Sequence, residues 1–108
     1  MRFFKNQGDL AQNLYAIENL KNRLLFRVAN VFHSFYSGDQ EKVKDNLSEY
    51  IIHGYVLGRK AGVSYSAMDK SIEKKAREYL EDKNDKDIAN YSAEIKEFLH
   101  YRQTLYKK

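Results

Sequence analysis

Leu10, Leu14, Ile17, Leu20, Leu24, Val28, Val31 and Phe35 recur at steps of three and four, and no other feature constrains the chain as strongly. Such spacing lays apolar side chains along one face of a continuous α-helix. It fits no strand, whose side chains alternate every second residue. A helix is predicted over about 9–36. Ser37-Gly38 stops it, Gly38 supplying the left-handed C-terminal residue, and Asp39 is placed to cap the second helix. Two helices joined across so short a link fold back antiparallel.

The second helix, about 40–61, carries Val43, Leu47, Tyr50, Ile51 and Gly54 on one side and ends at Gly62. Ile52 and Val56 project from its other side, with Asp45, Glu49 and His53 around them at i, i+4 steps. A helix apolar on both sides is expected between partners, which turns Glu49 toward protein. Ser66 reads as the cap of a third helix, about 66–81, with Asp69 completing a capping-box-like start. Glu81 to Lys86 is a polar hinge. A fourth helix, about 85–105, has Ile88, Tyr91, Ile95, Phe98, Leu99, Arg102 and Leu105 on one stripe. Proline is absent and glycine occurs only five times among 108 residues, which suits long helices. The pattern predicts an all-α fold, an antiparallel bundle of about four helices in a single domain, 1–108.

Without cysteine there is no disulfide framework, thiolate metal site or thiol nucleophile, as suits a reducing cytoplasm. No apolar run approaches a membrane span, and Met1-Arg2-Phe3-Phe4-Lys5 lacks the apolar core of a signal peptide, so a cytoplasmic location is expected. The charge of +4, carried partly by Lys107 and Lys108, is interleaved along the chain and not gathered on one face, which argues against nucleic acid as a partner. There is no Gly-rich phosphate loop and no Gly-x-Ser-x-Gly turn.

The segment from Gly38-Asp39 through Asn46, Glu49 and Ile51 resembles the second metal-binding helix of the MazG-like, all-α nucleoside triphosphate pyrophosphohydrolases. There a Gly-Asp turn leads into a helix bearing Glu-x-x-Asp, and the preceding helix bears Glu-Glu-x-x-Glu. The likeness continues through Leu57-Gly58-Arg59-Lys60-Ala61-Gly62-Val63-Ser64, similar to the family's helix end and turn. Lys70, Lys74, Arg77 and Tyr79 then resemble its Lys, Asn, Arg and Tyr, a stretch associated with substrate phosphates. The resemblance implies a helical fold, dimers or tetramers, and carboxylates that hold Mg²⁺ for cleavage between the α- and β-phosphates.

Matched position by position, the first motif falls on Phe26, Arg27 and Asn30, and the second on Asn46 and Glu49. One carboxylate remains of five. Mg²⁺ needs several oxygen donors, and a guanidinium repels it. Arg27 facing Glu49 would instead neutralise the carboxylate and clamp the helices. Alternatively, Asp45, Glu49 and His53, approached by His33, form a carboxylate and imidazole set suited to Mn²⁺, Fe²⁺ or Zn²⁺. The plainer reading, preferred here, leaves Asp45 solvated and the histidines as hydrogen bonders.

Lys70, Lys74, Arg77 and Tyr79 are the candidate phosphate-binding residues, although Glu73 and Glu78 among them equally suit a salt-bridged surface. Nine tyrosines and six phenylalanines exceed what one small core accommodates, which favours a homo-oligomer or a protein partner. Together these residues imply a non-catalytic MazG-like binding or regulatory protein, needing no cofactor and retaining nucleotide or phosphate binding. The alternative is a nucleoside triphosphate pyrophosphohydrolase in which Asp45 and Glu49 hold Mg²⁺ or Mn²⁺ and a metal-activated water attacks phosphorus. A nucleic-acid-binding bundle rests only on the pI of about 9.2.

Overall fold

The structure, a computed structural model, describes residues 7–106, with side chains described over 11–105. Met1–Lys5, Lys107, Lys108 and the side chain of Leu10 lie outside the described residues. The described elements are α1 (Gln7–Ser37), α2 (Gln40–Lys60), α3 (Tyr65–Glu81), α4 (Lys86–Ala89) and α5 (Ser92–Tyr106). All are helical. They fall into two compact units that divide between Tyr65 and Ser66.

The first unit is the α1–α2 hairpin. Gly38, at φ +72°, donates to Phe35 O, and Asp39 N donates to Ser34 O, so the last carbonyls of α1 are satisfied as the chain reverses. Asp39 Oδ1 then accepts from Lys42 N at 3.1 Å and starts α2. Gly62, at φ +92°, ends α2 in the same way, with Val63 N donating to Gly58 O. Leu20 and Val31 are buried in the hairpin, each contributing about 2 kcal/mol by burial. The rest of the α1 stripe is wider than one partner helix covers: Leu14, Val28 and Phe35 stay exposed. On α2 no residue is buried and Ile52 is exposed, so its second apolar side is not enclosed as its pattern predicts.

In the second unit, Asp69 near the start of α3 meets Arg102 near the end of α5. Tyr79, near the end of α3, shares a groove with Tyr91 and Ile95 at the start of α5. The two helices therefore run antiparallel, around Ala76, Ile88 and Leu99. Helix α3 begins at Tyr65, so Ser66 lies in its first turn instead of capping it. The predicted fourth helix is two. Asp85 Oδ1 accepts from Asp87 N and Ile88 N, which starts the single turn of α4. Asn90 N and Tyr91 N then bond three residues back, tightening the chain before α5.

The link between α1 and α2 gives a direct test. Gly38→Ala forces a side chain into the left-handed region and is expected to cost about 1–2 kcal/mol; Asp39→Ala removes the cap and is expected to cost about 1 kcal/mol. Urea unfolding monitored by circular dichroism measures both.

Candidate functional site

Arg27, Ser34 and Asn30 share the side of α1 that meets α2, and Lys42, Asn46, Glu49 and His53 follow one another on the facing side of α2. This spacing stacks polar groups between helices that are otherwise joined by apolar contact. The Arg27 guanidinium reaches across: Nη2 closes an ion pair with Glu49 Oε2, and Nη1 donates to Asn46 Oδ1 at 3.0 Å. Asn46 Nδ2 in turn donates to Lys42 O at 2.8 Å and to Ser34 Oγ at 3.4 Å. Ser34, only 3% exposed, donates to Asn30 O at 2.8 Å. The Phe26 ring lies 5.4 Å from the guanidinium carbon, within cation–π range.

The arrangement has a clear electrostatic sense. The Arg27 side chain is 25% exposed and that of Glu49 is 45% exposed, a half-wet setting in which an ion pair contributes modestly and fixes orientation. Asn46 uses its carbonyl for Arg27 and its amide for Lys42 and Ser34, so its oxygen is already engaged. A divalent cation in this position would meet a guanidinium, an amide oxygen in use and one carboxylate already neutralised. These residues do not fit the metal that the resemblance implies.

The alternative donors are dispersed. Asp45 and His33 are exposed, and His53 is half-buried, its Nδ1 buried without a hydrogen-bond partner. Among the described residues no three His, Asp or Glu side chains gather as a metal-holding group. Asp45, Glu49 and His53 share a helix face but are not brought to one point.

The candidate phosphate residues divide between two sides of α3. Lys70, Lys74 and Arg77 share one exposed side. Lys74 pairs with Glu78 at 4.0 Å, Lys75 with Glu78 at 3.5 Å and Arg77 with Glu73 at 3.7 Å, the i, i+3 and i, i+4 pattern of a salt-bridged surface. Tyr79 projects from the other side, into the groove with Tyr91 and Phe98. Lys70 instead borders a hollow of about 520 Å³ with Ser66, Asp69, Glu73 and Arg102.

Two polar contacts are missing from the sequence expectations. Ser34 links Asn46 to α1, and its signal was a small hydroxyl seven residues after Arg27 on an apolar stripe. Arg102 pairs with Asp69 at 3.3 Å beneath a Phe98 ring 5.5 Å away. A lone arginine on the α5 stripe implied an acid opposite.

If Arg27 and Glu49 act on each other, their replacements will not add. Arg27→Ala, Glu49→Ala and the double variant are expected to show a coupling of about 1 kcal/mol in denaturant unfolding. Arg27→Ala is expected to be the costlier single change because it also strands Asn46 Oδ1.

The sequence profile of the MazG-like family matches residues 10–94. No curated protein and no solved structure is significantly similar to the chain. Among the described residues no helix is long and apolar enough to cross a membrane.

Proposed function

Because the chain belongs to the MazG-like family, we propose that it is a member whose metal centre has been replaced by a polar clamp, and that it works as a non-catalytic binding or regulatory module. The observation that carries this is the Arg27 guanidinium bonded to both Asn46 and Glu49. Those are the two α2 positions at which the resemblance calls for metal-binding acids. A fixed organic cation there supplies the charge that would hold Glu49 between the helices, yet it has no open coordination position to polarise a phosphate or activate water. The structural service of the metal is kept and its chemistry is given up.

The module then acts through association, with itself or with a protein partner. Leu25, Phe26, Phe32 and Ile52 are each more than half exposed, more apolar surface than a solitary hairpin of this size needs. A phosphate ligand retained on α3 would meet Lys74 and Arg77 already paired with acids. Lys70 is the group on that side best placed to meet an anion.

The deciding experiment is pyrophosphate release from a panel of standard and modified nucleoside triphosphates, with Mg²⁺ and with Mn²⁺. No release above background is expected. Turnover that Glu49→Gln abolishes would restore the pyrophosphohydrolase reading, with Asp45 and Glu49 as its metal ligands.

A further inference from the structure

We propose that the groove between α3 and α5 is a binding site for a small organic cation, a ring-bearing amine whose ring lies among apolar side chains and whose ammonium group meets Glu94. The site is separate from the α1–α2 clamp and does not depend on the loss of a metal centre there. All of its lining residues lie between 71 and 98, in the second unit. The groove encloses about 430 Å³. Small-molecule sites commonly hold roughly 300–1,000 Å³ and sit between the helices of bundles.

A small residue gives the groove its depth. Ala76 is buried where α3 packs against α5, and its single methyl leaves a floor between Ile72 and Ile95. Tyr79 and Tyr91 wall one end and Phe98 the other, and these rings stay 49, 46 and 40% exposed. From Tyr91 to Phe98 the groove runs along seven residues of α5, about 10 Å, a length for one ring and one head group.

The charges select the ligand. Two charged side chains line the groove, Lys75 on α3 and Glu94 on α5. The Lys75 ammonium lies 3.5 Å from Glu78, so its charge is already met. Glu94 is exposed and forms no ion pair among the described residues. The unmet charge of the groove is therefore negative, and its complement is a cation.

The rings favour the same ligand. Tyr91, Glu94 and Phe98 follow at steps of three and four on one side of α5, so a group held at the Glu94 carboxylate has a ring about one turn away in each direction. Aromatic faces attract cations. Phe98 already lies 5.5 Å from the Arg102 guanidinium, which leaves Tyr79 and Tyr91 as the faces open to a ligand. A phosphate or carboxylate entering the groove would meet Glu94 before any unpaired cation.

The test uses three probes that share a phenyl ring and differ in charge: benzyltrimethylammonium, benzyl alcohol and phenylacetate. Each is titrated into the full chain labelled with ¹³C at its methyl groups, and the signals of Ile72, Ala76 and Ile95 are followed. Saturable shifts are expected with benzyltrimethylammonium, at a Kd on the order of tenfold below that of benzyl alcohol, with phenylacetate weaker still. Glu94→Gln and Tyr91→Leu are each expected to weaken the cation several-fold, to leave benzyl alcohol within about twofold and to retain helicity by circular dichroism. A merely structural role for these side chains would change all three probes together. The inference is overturned by an absence of shifts, by equal affinity for the three probes, or by preference for phenylacetate, which would assign the groove to Lys75. It is also overturned by shifts centred outside residues 71–98, or by NOEs from the Ile72 and Ile95 methyls to residues 1–65 in the probe-free chain. Pyrophosphate release from a nucleotide would overturn the proposed lack of catalysis and leave this site standing.

Discussion

The guanidinium of Arg27 is the group on which the α1–α2 hairpin turns. Among the described residues it is the one long cationic side chain on the inner face of α1 that bonds to two residues of α2, and its two nitrogens meet two different acceptors, Glu49 and Asn46. A rigid planar fork suits this task because its donors are already spaced; a lysine would offer a single point charge. Through Asn46 the bonding extends to Ser34 and back to α1. These bonds thereby bridge two helices whose apolar contact is narrow.

That narrowness connects the clamp to the proposed function. Helix α2 buries none of its residues, and much of the apolar surface of α1 is open, so the hairpin is stabilised within the chain by Leu20, Val31, its glycine-terminated turns and the polar clamp. A catalytic metal site asks for carboxylates held apart around a cation. This site has one carboxylate and its own cation. On the function proposed above, the charge is satisfied internally, and what the hairpin offers to its surroundings is apolar area rather than a reactive centre.

Much of this was legible in the sequence. The extents of α1, α2 and α3 follow from three- and four-residue spacing and from Gly38 and Gly62, because left-handed glycines and an Asp cap act locally. The position of Arg27 opposite Glu49 followed from matching two helices of a family resemblance. The break between α4 and α5 was not legible: the stripe Ile88, Tyr91, Ile95 runs through it unbroken, and only the double acceptance by Asp85 and the tightened turn at Asn90 separate the helices. The exposure of Phe32, Phe35 and Ile51 was hidden as well, since periodicity reports that a face is apolar but not whether the same chain covers it. Likewise, Tyr79 follows Arg77 by two residues, and at 100° per residue that puts it on another side of α3.

The proposed replacement of a metal by an internal cation is most directly tested by titrating the ¹⁵N-labelled chain with Mn²⁺ and following paramagnetic broadening residue by residue. Amide signals of Arg27, Asn46 and Glu49 should broaden no more than those of exposed acids elsewhere, with no saturation at micromolar metal. Saturable broadening centred on Asn46 and Glu49, and lost in Glu49→Gln, would contradict it.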